Sequence, residues 1–99
     1  MSIVQFTRFK SDDAEQVIKN ARIAKKIFEK HGAEFLRLSQ FHTGAFAGEF
    51  LVATRYSNWE VYGKAQEAIA KDPDFTKLWS QVTKTAELTG RNIAVGIDL

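Results

Sequence analysis

Residues 57–79 read SNWEVYGKAQEAIAKDPDFTKLW, and the way this stretch folds decides the rest. Ser57 and Glu60 have the spacing of a capping box, in which hydroxyl and carboxylate each satisfy an orphan backbone donor of the other. Val61, Tyr62, Ala65, Ala68 and Ile69 then recur at helical spacing. Pro73 cannot continue that helix, because it has no N–H and its ring collides with the preceding turn. Asp72-Pro73 is also a good cap and first residue for a new helix, whose apolar face is Phe75, Leu78, Trp79 and Val82. The stretch is therefore a helix broken once, and it holds both tryptophans of the chain.

Upstream, EFLVATRY (49–56) alternates as a strand, with Phe50, Val52, Thr54 and Tyr56 on one face and Glu49, Leu51, Ala53 and Arg55 on the other. GAFAG (44–48) supplies two turn glycines, and AEFLRLSQFHT (33–43) before it also alternates, so the pair reads as a β-hairpin. At the N-terminus, IVQFTRF (3–9) is a strand. A helix follows from a Ser11 cap to about Lys30, with Ala14, Val17, Ile18, Ala21, Ala24, Ile27 and Phe28 repeating at helical spacing, and Gly32 ends it in the left-handed conformation. Downstream of the broken helix, Gly90 and Asn92 turn the chain into a last strand, IAVGIDL (93–99).

The order β-α-β-β-α-β over residues 1–99 predicts an α+β, ferredoxin-like single domain: a four-stranded antiparallel sheet with two helices on one face. Both faces of the strand at 49–56 carry apolar side chains, while helices can cover only one. A second sheet is the natural cover for the other.

Composition narrows the field further. A chain of 99 residues is one small domain, and eight Phe with two Trp are a generous aromatic supply for so small a core. The formal charge of +2 comes from dispersed residues rather than a basic block, so neither nucleic acid nor an anionic membrane is implied as a partner. With no Cys there is no disulfide framework and no thiolate chemistry. No apolar run approaches the roughly 18 residues of a membrane span, and a cytoplasmic location is the expectation. The β-α-β-β-α-β order is shared with RNA-recognition domains, but Glu49 follows Gly48 where a basic and aromatic run would be needed.

Over its whole length, and most of all from Phe50 to Trp79, where VATRY leads into SNWEVYGKAQEAIAKDPDFTKLW, the chain resembles the dimeric α+β barrel proteins. These include the antibiotic-biosynthesis-monooxygenase-like, NIPSNAP-like and stress-responsive A/B barrel groups. The resemblance implies a homodimer in which two sheets pack face to face into a barrel, with a small cavity between sheet and helices in each subunit. It implies a small-molecule-binding protein, with cofactor-independent oxygenase or isomerase chemistry on a small, hydrophobic, weakly acidic compound as the leading expectation. The alternative it carries is a non-catalytic, stress-associated or binding homodimer. Haem-degrading relatives would place their axial His near Trp79, their pocket Trp near Ile69 and their pocket Asn near Gln5; with no imidazole near residue 79, no cofactor is expected.

The expected site residues are the polar and aromatic groups of the strands. His42 and Tyr56 are the candidate catalytic groups, an imidazole suited to proton abstraction and a phenol able to hold an enolate. Gln5, Thr7, Arg37, Phe50, Thr54 and Trp79 are the candidate ligand-binding residues. Each has a structural reading beside it: His42 as an exposed hairpin-end residue, Arg37 as an ion-pair partner, Phe75 and Trp79 as core packing at i, i+4. His31, next to Gly32, reads as a helix C-cap, and Trp59 as a staple against its helix. Two histidines 11 positions apart, with no Cys, make no metal site.

Overall fold

The computed structural model describes residues 1–99. Seven elements follow in order: β1 (Ile3–Lys10), α1 (Ala14–Lys30), β2 (Phe35–Gln40), β3 (Phe50–Tyr56), α2 (Trp59–Lys71), α3 (Pro73–Thr85) and β4 (Glu87–Val95). The strands form one antiparallel sheet in the order β2-β3-β1-β4. This is the expected ferredoxin-like α+β arrangement, with the second helix resolved into two.

The caps explain why the helices begin where they do. Asp13, not Ser11, caps α1, its carboxylate accepting from the Gln16 N–H at 3.1 Å. Ser11 instead donates its hydroxyl to the Thr85 carbonyl at 2.7 Å, tying the turn after β1 to the end of α3. Asn58 rather than Ser57 caps α2, accepting from the Val61 N–H at 2.8 Å, and Glu60 turns outward to Lys64 at 3.1 Å instead of closing a capping box.

Asp72 ends α2 and caps α3. One carboxylate oxygen accepts from the Asp74 N–H at 2.9 Å, while the other meets His31 Nε2 at 2.7 Å. His31 in turn caps the C-terminus of α1, and Gly32 beside it takes φ of 118°. The α2–α3 break is thus held against the end of α1. The hydrogen bond from His31, the Asp74 N–H and Lys30 at 3.8 Å together keep the Asp72 carboxyl below the usual carboxylate range, although burial opposes them.

The last strand departs from expectation. It begins at Glu87, six residues earlier than the sequence suggested, and runs through Gly90 and Asn92 without turning. Pairing to β1 overrides the weak strand propensity of those residues. Between Arg8 and Phe9 the register shifts, so Thr89 is the extra residue of a β-bulge and Leu88 and Arg91 both fall on the helix-covered side, opposite Phe9 and Thr7.

The core lies where α1, α2 and α3 meet the Ile3–Tyr56 end of the central strands β1 and β3, built from Ile3, Ile27, Tyr56, Ala65, Ile69 and Leu78. The molecule is a slab measuring 36 × 35 × 17 Å, one layer of helices on one sheet. On the bare sheet face, Val4, Phe6, Leu51 and Ala53 are half-buried beside an Arg8–Glu49 pair at 3.2 Å. Phe46 of the β2–β3 loop places its ring 3.7 Å from the Arg8 guanidinium. The Thr89 hydroxyl, aimed by the bulge, hydrogen-bonds Glu49 and with Arg8 holds that carboxyl below its ordinary value. No helix is long and apolar enough to cross a membrane.

Candidate functional site

Between the sheet and helices α1 and α3 lies a cavity of about 130 Å³. Ala21 and Ala24, which follow Val17 at helical spacing on α1, leave room there that larger side chains would fill. Its aromatic wall is Phe28, Phe75 and Trp79. Phe28 meets Phe75 edge-on at 5.9 Å, and Phe75 stacks on Trp79 at 6.1 Å.

The sheet supplies the polar wall. Gln5 and Thr7 of β1 and Thr54 of β3 face the cavity because their register places them on the helix side, with Gln5 opposite Thr54. Gln5 and Thr54 are buried. From α1 comes Asn20, also buried, an amide interrupting an otherwise apolar helix face.

Both amides have their oxygens already engaged. Tyr62 donates its hydroxyl to Gln5 Oε1 at 2.7 Å, and Gln16 donates to Asn20 Oδ1 at 3.0 Å. Neither N–H₂ end has a protein partner among the side-chain hydrogen bonds, so the amides can donate into the cavity, where the Thr7 and Thr54 hydroxyls can donate or accept. No buried side-chain nitrogen or oxygen lacks a partner, so any unpaired amide hydrogen borders open space.

The mouth lies between α3 and β4, since the exposed lining residues are Trp79 and Thr83 on the first and Leu88 and Arg91 on the second. Arg91 is the only charged residue on the lining, and no carboxylate lies within 4.0 Å of it. No Asp, Glu, His or Tyr lines the cavity.

Of the residues singled out in the sequence, Gln5, Thr7, Thr54 and Trp79 come together on this cavity. The others do not reach it. Tyr56 is fully buried in the core, where its hydroxyl accepts from Gln66 Nε2 at 3.3 Å and its ring meets Tyr62 edge-on at 5.2 Å. Burial pushes its phenol above the ordinary value, opposite to what a ready proton acceptor needs.

Phe50 stacks behind Phe9 at 5.7 Å, and only Phe9 lines the cavity. Arg37 projects from the opposite sheet face, over its neighbour Phe35 at 4.1 Å, because it pairs with Ala53 and not with Thr54. His42 is exposed in the β2–β3 loop. Trp59 is no staple: it is 53% exposed and packs only edge-on against Tyr62.

Asn20 and Arg91 were missed. Asn20 carried a signal, a polar residue three positions from Val17 and four from Ala24 on an apolar stripe. Arg91 carried none, because Gly90 and Asn92 on either side read as a turn. No group of three or more His, Asp and Glu side chains is arranged to hold a metal ion.

No protein-family model matches the sequence, and no curated protein does. Solved structures do share the fold. SnoaB, a cofactor-independent oxygenase from Streptomyces nogalater, superposes with a TM-score of 0.67 at 13% identity over 99% of this chain and 95% of that one. A NIPSNAP family protein from Agrobacterium tumefaciens superposes with a TM-score of 0.71 at 12% identity over 99% and 95%. A protein described as a putative antibiotic biosynthesis monooxygenase, from Chloroflexus aurantiacus, gives 0.65 at 7% identity over 99% and 95%. The chain shares its ferredoxin-like α+β fold with these proteins.

Proposed function

We propose that this protein binds a small, hydrophobic, weakly acidic molecule in the cavity between α1, α3 and the sheet, and acts on it as a cofactor-independent oxygenase of the monooxygenase-like group. The observation that carries this reading is the pairing of an apolar, aromatic-walled cavity with a floor of amide donors from Gln5 and Asn20. Its 130 Å³ is well below the roughly 300–1,000 Å³ of ordinary ligand pockets, and close to the roughly 150 Å³ of a cavity that takes benzene. A single ring is the matching size.

Donors held in a water-poor site stabilise the oxygen of a phenolate or enolate, and so favour the anion over its neutral parent. Such an anion can itself reduce oxygen. O₂ adds to the ring carbon alpha to the enolate oxygen, or ortho or para to the phenolate oxygen, giving a hydroperoxide on a carbon that keeps one hydrogen; loss of water then leaves C=O, so one oxygen atom enters the product, the other leaves as water, and the substrate supplies all four electrons. In this account Gln5 and Asn20 hold the oxyanion, Thr7 and Thr54 orient the ring edge, and Phe28, Phe75 and Trp79 exclude water. SnoaB, with the same fold, is described as an oxygenase of the cofactor-independent kind.

An oxygen electrode with a panel of monocyclic phenols and enolisable ring ketones tests the proposal. Saturable oxygen uptake that disappears when Ala21 is enlarged to Leu supports it. Saturable binding without uptake by any member would favour the second reading, a non-catalytic binding module, which the lack of any imidazole, carboxylate or phenol on the cavity wall recommends.

The proposal includes a homodimer formed through the bare sheet face. The chain exposes 6534 Å², against about 5,700 Å² for a monomeric protein of its mass, an excess near the ~800 Å² that each partner buries in a standard interface. Val4, Phe6, Leu51 and Ala53 supply apolar area there. Sedimentation equilibrium at micromolar concentration should give twice 11.2 kDa; a monomer would rule the barrel out.

A further inference from the structure

We infer that the ligand is a single-ring phenol carrying a carboxylate, with its phenolic oxygen on the amide floor and its carboxylate on Arg91 at the mouth. This rests on the cavity reading above and names the substrate class within it.

Three observations lead here. Arg91 is the only charged residue on a lining dominated by apolar side chains, and it has no carboxylate partner in the protein. Other cations near carboxylates are engaged: Arg8 with Glu49, Arg55 with Glu34, Lys30 with Asp72. A guanidinium presents a planar fork of donors that matches a carboxylate in two parallel hydrogen bonds.

The bulge at Thr89 is the second observation. With regular alternation from Arg91, Thr89 would face the cavity and Leu88 the bare face; the extra residue instead brings Leu88 to the cavity beside Arg91, so the mouth has an apolar lip and a cationic one. A ring edge suits the first and an anion the second.

The third is chemical. Since no Asp, Glu, His or Tyr lines the cavity, a ligand that must lose a proton does so without a base on the wall. The Arg91 guanidinium and the N–H₂ ends of Gln5 and Asn20 are donors, so they recognise acceptor groups at both ends of a ligand. A neutral hydrocarbon would leave these donors unmatched, and a cation would meet Arg91 with like charge.

Binding of 4-hydroxybenzoate and of its neutral counterpart 4-hydroxybenzyl alcohol tests the inference, followed by Trp79 fluorescence in a Trp59→Phe background, where the exposed Trp59 no longer contributes. The same titrations are run on Arg91→Gln and Arg91→Lys. A hydrogen bond to a charged group at an exposed mouth gives about a tenfold preference for the acid. The expected result is that preference in the parent protein, its loss in Arg91→Gln with alcohol affinity unchanged, and partial retention in Arg91→Lys.

Equal affinity for acid and alcohol, or an unchanged preference in Arg91→Gln, overturns the Arg91 assignment while leaving the cavity reading intact. Failure of both compounds to bind saturably overturns both. Weakening of the alcohol as well as the acid in Arg91→Gln means the variant perturbs the cavity, and the Arg91→Lys comparison then decides: a loss of less than tenfold confined to the acid supports the assignment, and equal loss for both compounds, or no loss, rejects it.

Discussion

Enlarging Ala21 to Leu should stabilise the protein and abolish ligand binding together. Ala21 is half-buried on α1 and lines the cavity, so the new side chain enters existing space rather than displacing neighbours. Leu adds three carbons. Benzene, with six, fits in roughly 150 Å³, so three lie within about 130 Å³ with room to find a relaxed rotamer. At ~0.8 kcal/mol per buried methylene the gain is about 2.4 kcal/mol. Lost side-chain freedom costs about 0.5–1 kcal/mol and helix propensity a few tenths. The net is about +1 kcal/mol, which should raise the urea midpoint by roughly 0.5–1 M at fixed chain concentration.

Ring compounds should at the same time lose saturable binding. A lowered midpoint, reporting a loss of about 1–3 kcal/mol in stability, the usual consequence of overpacking, would mean that the space is not there. Stabilisation with binding intact would mean that the ligand sits elsewhere.

Other substitutions should behave as follows. Leu78→Ala, which removes a buried side chain shared by core and cavity, should cost about 3 kcal/mol and lower Tm by roughly 12–20 °C, measured by thermal unfolding. Tyr56→Phe should cost about 1 kcal/mol through the lost contact with Gln66 and leave ligand affinity unchanged in the titrations above, since the phenol does not line the cavity. The Asp72 carboxyl is held below its usual range in the folded state, so its stabilising effect is present above the unfolded value near 3.8 and disappears as pH falls through the lower, folded one. Asp72→Asn keeps a capping side chain but no charge, and urea midpoints taken from pH 5 downward should fall less steeply for the variant than for the parent.

Most of the framework was legible because it rests on local rules. The Asp72-Pro73 break, the left-handed Gly32 and the alternation of Phe50, Val52, Thr54 and Tyr56 each follow from neighbouring residues alone. Caps shifted by a residue or two because Asp13 and Asn58 compete with Ser11 and Ser57 as side-chain acceptors, and the backbone path after each strand decides between them. The start of β4 was illegible, since Gly90 and Asn92 disfavour a strand and only pairing to β1 makes one.

The site was half legible for a related reason. Gln5, Thr7 and Thr54 share a face by simple alternation, and Trp79 lies on the helix that covers it. Tyr56 shares that alternation yet belongs to the core, because the cavity ends before the end of the sheet on which Tyr56 packs. Arg37 lies one residue out of phase with Leu36, and that single step puts it on the other side of the sheet. Arg91 faces the cavity through its pairing opposite Thr7, in a strand segment the sequence did not mark, and Leu88 joins it through a bulge that no local pattern announced.

The central claim is that a small, weakly acidic ring compound occupies the cavity between α1, α3 and the sheet. The most direct measurement is a ¹H–¹⁵N NMR titration with p-cresol, at fixed pH, followed to saturation. The account predicts saturable shifts clustered at Gln5, Thr7, Asn20, Thr54 and Leu78, with the bare-face residues Phe6, Arg37 and Leu51 unmoved. Shifts that stay linear in concentration, or that cluster on the bare face instead, would contradict it.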